Sequence, residues 1–514
     1  MKQLPSIFLK CVLVLSAMVS GLQNAPAQSK REFRGVWIAT VVNIDWPEKA
    51  GKKAEEQKQE LLNLLDEHQR NGMNAVMFQV RPAADAFYRK GREPWSQWLT
   101  GKQGREPDGD FDPLEFAIQE AHKRGMELHA WFNPYRAVFD VRKSTVDGDH
   151  VTRRHPDWFF DYGGKRLFNP GLPDVQKYIV QVILDVVKNY DIDGIHFDDY
   201  FYPYPVKGQV LRDDDTYLAH RQDENMAIDE WRRANVDSLI KMTGDSIHHY
   251  KKYVKFGVSP SAIWKNKRQD ALGSETNGGS SFYNLYADSR RWVEKGWVDY
   301  INPQIYFPFG YSPAPYEKLV DWWSLNTFGR HLYVGLGAYR VGIPGPAQFR
   351  DPSEMPNEIA YYRKNPRVQG SVFFSSKSIQ NNPLGLRDSL RYQLFNRKAL
   401  PPVMIWMDDV PPNIPQNVLA GIQNNQVELN WNEPAPAADQ EPVFGYVIYR
   451  FGEDERPNLE DNAHILAIRF TPETRFTDAT AEKGKSYRYI ITALDRAKNE
   501  SLGSKDALAS VPLP

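Results

Sequence analysis

The segment Gly194-Ile-His-Phe-Asp-Asp-Tyr200 combines a strand-like alternation with two adjacent carboxylates. Ile195 and Phe197 are apolar, whereas His196 and Asp198, which alternate with them, are polar. A period of two is typical of a β-strand whose two faces meet different surroundings. In a parallel barrel one face of each strand packs against helices and the other points inward, and this segment favours that arrangement.

Seven further segments share this strand-like character, and amphipathic helical stretches lie between them. The other predicted strands are Phe33–Thr40, Ala75–Arg81, Glu127–Tyr135, Val254–Ser261, Val298–Tyr306, Leu332–Tyr339 and Val368–Ser375. The predicted helices include Glu55–Asn71, Pro113–Gly125, Asp174–Tyr190, Asn225–Tyr253, Tyr283–Gly296 and Pro315–Asn326. Eight alternating rounds predict an α/β fold, a (β/α)8 TIM barrel. An open doubly wound sheet is the alternative, but no Gly-rich phosphate loop follows the first strand.

A proline-rich segment, residues 401–414, separates the predicted barrel at 31–400 from a C-terminal region, residues 415–512, with a different sequence pattern. The strands expected there are Val427–Trp431, Gly445–Arg450, Arg475–Asp478 and Ser486–Leu494. Short alternating strands at this spacing predict a small all-β immunoglobulin-like sandwich. The tail resembles a fibronectin type III domain in its early Trp431, its Gly445-Tyr-Val-Ile-Tyr-Arg450 strand and its Tyr487-x-Tyr489-x-Ile491-x-Ala493-Leu-Asp495 pattern.

The composition excludes two classes of protein. The 514 residues are 41% hydrophobic and 13% aromatic, whereas disordered chains are poor in both. The 64 Lys and Arg residues balance 65 Asp and Glu residues, which removes the broad electrostatic attraction to polyanions. We therefore expect a folded protein that does not bind nucleic acid.

The first 27 residues have the pattern of a secretory signal. Lys2 and Lys10 precede the apolar run Cys11-Val-Leu-Val-Leu-Ser-Ala-Met-Val, and Ala25-Pro26-Ala27 offers a cleavage site of small residues. The single cysteine lies at the head of the apolar run and not at the cleavage point, which excludes a lipoprotein. We expect a secreted or periplasmic protein with no stable membrane anchor after cleavage. The alternative is an uncleaved N-terminal anchor.

The two adjacent aspartates of the fourth strand are the strongest catalytic candidates. Glycoside cleavage needs one carboxylic acid to protonate the leaving oxygen and a second group to attack or to activate water. Burial among aromatic rings and beside a like charge raises a carboxyl pKa. Asp198 fits the inward pattern of a regular strand, whereas Asp199 serves only if the strand has already turned. The structural alternative is that Asp199 caps the following loop or pairs with an arginine.

A second catalytic carboxylate must come from a loop, because no other predicted strand ends in an inward carboxylate. Glu93, in Arg92-Glu-Pro-Trp-Ser96, follows the second strand and could reach back over the barrel mouth. Asp85 and Glu275 are loop residues on the same side. Each of the three also fits a solvated loop charge.

Ten further residues at predicted strand ends suit a carbohydrate site. Sugars stack their C–H faces on aromatic rings while Asn, Gln and Arg side chains bond the hydroxyls. The predicted substrate-binding residues are Trp37, Arg81, Trp95, Trp131, Asn133, Tyr135, Tyr200, Gln304, Tyr306 and Tyr339. Any single aromatic residue among them also fits a position in the hydrophobic core.

Metal and serine chemistry are poorly supported. His129 and His196 share the inward face with Asp198 but lack the tight His spacing of zinc hydrolases, and they fit buried, hydrogen-bonded strand positions better. Ser259 and Ser261 lack a Gly-x-Ser-x-Gly elbow. We therefore expect no metal and no cofactor.

Six ordered motifs within residues 31–400 resemble the glycosyl-hydrolase-like family 10. They are Arg34-Gly-Val-Trp-Ile38, Phe78-Gln-Val-Arg-Pro82, Glu93-Pro-Trp-Ser-Gln-Trp-Leu-Thr-Gly101, His129-Ala-Trp-Phe-Asn-Pro-Tyr-Arg136, Gly194–Pro203 and Ile301-Asn-Pro-Gln-Ile-Tyr306. The resemblance implies a barrel glycosidase of the cell envelope whose substrate is peptidoglycan stripped of its stem peptides.

The fourth strand is also similar to the Asp-Gly-x-Asp-x-Asp-x-Glu signature of family 18 chitinases. Asp193, Gly194 and Asp198 match that signature, whereas His196 replaces its middle aspartate and Tyr200 stands where its acidic glutamate belongs. The resemblance therefore implies that Asp198 or Asp199 takes the role of the acid.

These observations predict an exported glycoside hydrolase that cleaves a cell-envelope polysaccharide, with peptidoglycan glycan strands as the expected substrate, by carboxylate acid/base chemistry. The alternative is a non-catalytic glycan-binding envelope protein that retains the cleft without a working acid pair.

Overall fold

The structure is a computed structural model, and it describes residues 28–513. The predicted signal peptide, residues 1–27, lies outside the described residues. Within the described part of the chain no helix is both long enough and apolar enough to cross a membrane.

Eight parallel strands close into a barrel, which confirms the predicted fold class. In chain order the strands up to residue 373 are β1 (Phe33–Ile38), β2 (Ala75–Arg81), β3 (Glu127–Phe132), β4 (Arg136–Val138), β5 (Phe159–Tyr162), β6 (Lys165–Phe168), β7 (Gly194–Phe197), β8 (Lys255–Val258), β9 (Tyr300–Ile301), β10 (His331–Leu336) and β11 (Gly370–Phe373). The barrel runs β1-β2-β3-β7-β8-β9-β10-β11 and back to β1. All eight predicted barrel strands are present, and most end before their predicted last residue.

The helices lie between the strands. They are α1 (Ala54–Arg70), α2 (Gln97–Thr100), α3 (Pro113–Lys123), α4 (Val151–Arg154), α5 (Pro173–Asn189), α6 (Asp214–His220), α7 (Ile228–Tyr250), α8 (Ser281–Asn284), α9 (Ser289–Glu294), α10 (Tyr316–Ser324), α11 (Glu354–Tyr362), α12 (Ser376–Gln380) and α13 (Leu386–Ser389). α3 begins where Asp112 accepts hydrogen bonds from the N–H groups of Leu114 and Glu115, with Pro113 at the first helical position. The single helix predicted at Tyr283–Gly296 is instead split into α8 and α9.

Buried polar side chains inside the barrel form a continuous chain of hydrogen bonds from Trp37 to Glu127. Trp37 Nε1 donates to His196 Nε2 at 3.2 Å, and His196 Nδ1 lies 3.0 Å from the Tyr300 hydroxyl. That hydroxyl lies 2.9 Å from His129 Nδ1, and His129 Nε2 lies 3.0 Å from Glu127. Burial lowers the pKa of both histidines, so both are neutral and each ring nitrogen has a partner.

A small antiparallel sheet, ordered β4-β6-β5, is inserted between β3 and α5. It starts four residues after β3 ends, so it stands beside the carboxyl-terminal mouth of the barrel. Active sites of TIM barrels lie at this mouth, and the insertion therefore forms one of its walls.

The C-terminal part is built from two antiparallel sheets. Its strands are β12 (Gln416–Gln423), β13 (Gln426–Asn432), β14 (Gly445–Gly452), β15 (Ile465–Arg469), β16 (Arg475–Asp478), β17 (Ser486–Leu494) and β18 (Ala507–Ser510). The sheets are ordered β12-β13-β16 and β15-β14-β17-β18. Trp431 and Tyr446 pack edge to face between them, with ring centroids 5.0 Å apart. The all-β sandwich is confirmed, while its identity as a fibronectin type III domain stays a prediction.

Lys498, from the loop between β17 and β18, closes the amino-terminal end of the barrel. Its side chain is fully buried, and Nζ lies 3.1 Å from Asp193 and 3.4 Å from Glu127. Lys255 binds Glu127 from inside the barrel at 2.5 Å. Burial alone would raise the pKa of Glu127, but the two ammonium groups outweigh it and lower that pKa to about 2. The sandwich therefore supplies a counter-charge that the barrel lacks.

Further contacts hold the sandwich against the same end of the barrel. Arg496 binds Asp191 at 2.7 Å, and the N–H of Phe470 donates to the carbonyl of His122 at 3.1 Å. Trp406, in the segment that connects the two parts, donates to Asp299 at 3.0 Å. We infer that the sandwich covers the amino-terminal end of the barrel and is held there by these contacts, and that it is not a freely tethered module.

We predict that Lys498→Met lowers the free energy of unfolding of the full chain by about 3–5 kcal/mol, because methionine keeps the side-chain volume but leaves Glu127 and Asp193 short of a counter-charge. Urea denaturation followed by tryptophan fluorescence measures the loss. Lys505→Met removes an exposed lysine from the same loop and serves as the matched control. Equal stability of the two variants would contradict the role given to Lys498.

Candidate active site

A cleft of about 450 Å³ opens at the carboxyl-terminal mouth of the barrel. Eight of the predicted site residues line it together: Trp37, Trp131, Asp198, Asp199, Tyr200, Gln304, Tyr306 and Tyr339. They follow five different barrel strands, as expected for a site built from strand ends.

Asp198 lies on the cleft floor directly after β7. Its Oδ2 accepts hydrogen bonds from Trp131 Nε1 at 3.1 Å and from Asn133 Nδ2 at 3.0 Å. Burial raises the pKa of Asp198 to about 7; Arg136 opposes that rise, and the negative charge of Asp199 adds to it. The carboxyl is therefore partly protonated at neutral pH, while both of its donors keep it oriented.

Asp199 faces the same cleft, because the regular strand ends at Phe197 and the chain has already turned. Its Oδ2 accepts a hydrogen bond from the Tyr204 hydroxyl. Burial raises its pKa as well, although Tyr204 and Gln304 partly offset the rise. Two coupled carboxyl groups whose pKa values are both raised hold fewer than two negative charges near neutrality.

The aromatic rings form the walls above the two aspartates. Tyr306 meets Tyr339 edge to face with centroids 5.7 Å apart, and Phe374 packs against both rings at about 6 Å. Gln304 is fixed by its Nε2, which donates to the carbonyl of Ser259 at 2.8 Å. Flat apolar faces next to fixed polar groups are the combination that a sugar ring requires.

Glu93 and Arg81 do not line the cleft. They form a fully buried ion pair in which Arg81 donates to both carboxylate oxygens, at 2.6 and 2.7 Å, and Tyr178 donates to Glu93 at 3.2 Å. We expected Glu93 to reach over the mouth and Arg81 to point into it. The position of Arg81 differs because the β2–β3 register shifts between Gln79 and Arg81 and breaks the period-two pattern there. Glu93 differs because its carboxylate is bound by the buried Arg81 and not turned toward the mouth.

Three other predicted residues also lie away from the open cleft. Trp95 packs in the outer core, with Arg89 over its ring at 5.7 Å. Tyr135 is buried in that core because β3 ends at Phe132, three residues earlier than needed to keep it on the inward face. Asn133 stands beneath the floor, where it supports Asp198.

The two alternative loop carboxylates are placed elsewhere too. Asp85 is buried, accepts the N–H of Ala83 at 3.0 Å and does not line the cleft. Glu275 is exposed and pairs with Lys267 and Lys318. Among the described residues, Asp198 and Asp199 are thus the carboxylates that line the cleft.

Several cleft residues were not assigned to the site from the sequence. They are Val42, Ile44, Gln79, Arg136, Phe139, Tyr204, Ser259 and Phe374. Gln79 was visible on the inward face of β2, and Arg136 closes the His129–Arg136 motif. Phe139 directly follows the short strand β4, Tyr204 lies in the irregular segment after β7, and no periodicity marks either residue.

Comparisons with known proteins agree on one family. The family model described as "Glycosyl hydrolase-like 10" matches residues 32–352. The chain is 43% identical over 507 residues to "Glycosyl hydrolase YngK" of Bacillus subtilis (strain 168), with 97% of each chain covered. It is 40% identical over 335 residues to "Glycosyl hydrolase DigH" of Escherichia coli (strain K12), which covers 62% of this chain and 75% of that protein.

Solved structures are more distant. The glycoside hydrolase domain of PgaB (BpsB) from Bordetella bronchiseptica matches with a TM-score of 0.44 and 15% identity, over 70% of this chain and 98% of that one. That degree of similarity carries no argument about chemistry.

We predict that the Asp198 carboxyl titrates near pH 7, about three units above an exposed aspartate, because burial penalises its charged form. Carbon-13 NMR of aspartate-labelled protein measures this titration, and the signal lost in Asp198→Asn assigns it. Trp131→Phe removes an N–H donor to the carboxylate and should raise the pKa further. Titration of Asp198 near pH 4 would contradict the described burial.

Proposed function

The chain belongs to the glycosyl hydrolase-like 10 family, and on that premise we propose that this glycosidase is exported and cleaves peptidoglycan glycan strands after their stem peptides have been removed. The family assignment confirms the resemblance drawn from the six motifs. It also supports an enzyme over the non-catalytic glycan-binding alternative.

In the proposed mechanism the Asp198–Asp199 pair carries the acid chemistry. One carboxyl of the pair is protonated near neutral pH and gives its proton to the leaving glycosidic oxygen. The pKa of Asp198, which burial raises to about 7, supports this role, because a general acid works best when its pKa lies near the working pH. The C–O bond breaks as the proton is transferred, and the pair recovers its proton from the water that completes hydrolysis.

The attacking group is proposed to come from the substrate. Retaining and inverting glycosidases need a second carboxylate across the sugar, and among the described residues the cleft holds no carboxylate other than this pair. The sugars of peptidoglycan carry a 2-acetamido group whose carbonyl oxygen can attack the anomeric carbon as the glycosidic C–O bond breaks. Water then attacks the same carbon and displaces the acetamido oxygen, and it gives one proton back to the pair. The ionised member of the pair would accept the hydrogen bond of the acetamido N–H and so orient it.

The observation that carries the choice of substrate is a guanidinium at the cleft wall that has no carboxylate partner among the described residues. Arg136 is 5% exposed and lines the cleft, with its guanidinium 4.7 Å from the centre of the Tyr200 ring. Within residues 28–513 no carboxylate lies within salt-bridge distance of it, although it acts on Asp198 and Asp199 from further away. Its Nη1 donates to the carbonyl of Pro82 at 3.4 Å, but a neutral carbonyl does not compensate the charge. A buried cation without a carboxylate partner favours an anionic ligand.

A side pocket extends from Arg136 along the inserted sheet. This cavity of about 310 Å³ is lined by Arg136, Phe139, Tyr162, Lys165 and Tyr200, among others. The Lys165 ammonium lies 5.2 Å from the Phe139 ring centre and forms no salt bridge within the described chain. The pocket thus offers two cations and no carboxylate.

Peptidoglycan that lacks its stem peptides carries negative charge that complements these two cations. Each N-acetylmuramic acid carries a lactyl carboxylate, which is an amide while the peptide is attached and an anion once it is removed. Chitin has the same backbone and acetamido groups but lacks the lactyl group. The two cations therefore favour the stripped glycan over both intact peptidoglycan and chitin.

We predict that the chain from Gln28 releases sugars from peptide-free peptidoglycan at least tenfold faster than from intact peptidoglycan or chitooligosaccharides, because only the first offers the lactyl anion. Lys165→Met should reduce this preference by severalfold in kcat/KM while leaving chitooligosaccharide cleavage unchanged. Reducing-end release, with product masses from mass spectrometry, measures both.

Two variants serve as controls for this comparison. Arg166→Gln alters the neighbouring cation, which is paired with Asp161 at 2.8 Å and does not line the pocket, so the preference should be kept. Asp198→Asn should reduce cleavage of every substrate by at least 100-fold. Equal rates on stripped glycan and chitooligosaccharide would overturn the substrate assignment, and full activity of Asp198→Asn would overturn the site.

Export is proposed from the N-terminal signal pattern. We predict that the protein recovered from its native cell envelope or medium begins at Gln28, because cleavage follows Ala27. Intact-mass measurement of that protein tests this directly. A native chain that keeps residues 1–27 and stays in the cytoplasm would contradict the proposal.

A further inference from the structure

The loop after β1 holds a strained residue at the cleft. Val42 has a φ of 56° and a ψ of 22°, which places its backbone in the left-handed region. A β-branched side chain clashes with its own backbone in that region, so glycine and asparagine are the residues that normally occupy it. Val42 is therefore held at a conformational cost, and strain of this kind collects at functional sites.

Packing in the interior does not offset this cost. The Val42 side chain is 51% exposed, whereas its neighbour Val41 is 8% exposed and belongs to the barrel core. Val42 belongs to none of the hydrophobic cores in the described part of the chain. It lines the cleft instead, together with Ile44, which is also exposed. The side chain is thus presented to whatever the cleft binds.

Hydrogen bonds on both sides of Val42 fix the turn. Before it, Gln79 Oε1 accepts two backbone N–H groups of the loop, at 3.0 and 2.9 Å. After it, Asn43 Nδ2 donates to the carbonyl groups of Pro47 and Trp98, at 2.9 and 2.8 Å. A strained conformation persists only where the surrounding structure over-determines it, and these bonds meet that condition.

Asp45 ties the same loop to the segment that follows β11. Its Oδ2 accepts the N–H of Ala39 at 2.7 Å, and its Oδ1 accepts the hydroxyl of Ser375 at 2.8 Å and the N–H of Lys377 at 2.7 Å. The loop is therefore anchored to two neighbouring strand ends of the barrel. Its exposed side chains keep a fixed position relative to the cleft floor.

The loop faces the two aspartates across the cleft. In the closed barrel, β1 and β7 are separated by β2 and β3 on one side and by four strands on the other. Val42 follows β1, whereas Asp198 and Asp199 follow β7. A sugar ring that lies between the two loops meets the carboxyl groups on one side and the Val42 side chain on the other.

We propose that Val42 contacts the substrate and holds the sugar ring against the Asp198–Asp199 pair. This inference rests on the proposed function, because it takes the cleft to be the place where the glycan binds. The C–H groups of a pyranose ring offer the apolar surface that an exposed isopropyl group complements. Binding removes this side chain from water, which offsets part of the cost of the strained backbone.

The contact is made to the sugar backbone and not to the lactyl group. Peptide-free peptidoglycan and chitooligosaccharides share the pyranose ring, so loss of the Val42 side chain should weaken the binding of both by the same factor. Lys165 differs in this respect, because its loss is expected to change the preference between the two glycans. The two residues therefore have separable effects.

The test compares Val42→Gly and Val42→Asn with the wild-type chain from Gln28. Both replacements accept the left-handed conformation, so the melting temperature should stay at the wild-type value or rise by about 1–2 °C. KM should rise about fivefold or more with either glycan, while kcat changes by less than about twofold, because the contact forms when the substrate binds. A merely structural residue would lower the melting temperature and the activity together.

Leu384→Gly is the matched control. Leu384 is also an apolar residue in the left-handed region, with a φ of 50°, and its side chain is 46% exposed, but it does not line the cleft. Relief of its backbone strain should keep or raise the melting temperature and leave KM at the wild-type value.

An unchanged KM in both Val42 variants, or a lower melting temperature in both, would overturn the proposal. Equal wild-type rates on the two glycans would overturn the choice of substrate and leave the Val42 comparison in force. If neither glycan is cleaved, isothermal titration of chitooligosaccharide into Asp198→Asn, with and without Val42→Gly, makes the comparison by affinity. Equal affinity of these two proteins, or no binding by either, would overturn the contact.

Discussion

A buried carboxylate needs a compensating positive charge, and this requirement organises the molecule. At the amino-terminal end of the barrel, Glu127 and Asp193 point into a space from which water is excluded. Lys255 supplies one ammonium group from within the barrel, and Lys498 supplies another from the sandwich. The barrel end is therefore completed by a residue that lies more than 300 positions away from Asp193 in sequence, which makes the two parts one structural unit.

Two carboxylates that lack such compensation lie in the cleft where chemistry is proposed. Asp198 and Asp199 lie at the opposite end of the barrel and form no salt bridge among the described residues. Arg136 lowers both pKa values from further away, but burial outweighs it and leaves them raised. Arg81 and Glu93, in contrast, neutralise each other in a buried ion pair. We therefore assign them a structural role and not a catalytic one.

Period-two alternation is enough to predict the eight barrel strands and most of the predicted residues that line the cleft at the barrel mouth. It succeeded for Trp131 and Asp198 because these residues lie on or next to regular strands whose register continues to the barrel rim. It failed for Arg81, where the β2–β3 register shifts, and for Tyr135, where β3 has already ended. The Arg81–Glu93 pair and the position of Lys498 depend on the paths of loops, and the sequence has no periodic signal for these.

The central claim is that the Asp198–Asp199 pair is the place where the glycosidic bond is cleaved. The most direct measurement is a crystal structure of Asp198→Asn with a peptide-free tetrasaccharide of alternating N-acetylglucosamine and N-acetylmuramic acid. We expect a glycosidic oxygen about 3 Å from the side chain of residue 198 or 199 and a lactyl carboxylate facing Arg136. A sugar bound with its glycosidic oxygens next to some other carboxylate, or bound outside this cleft, would contradict it.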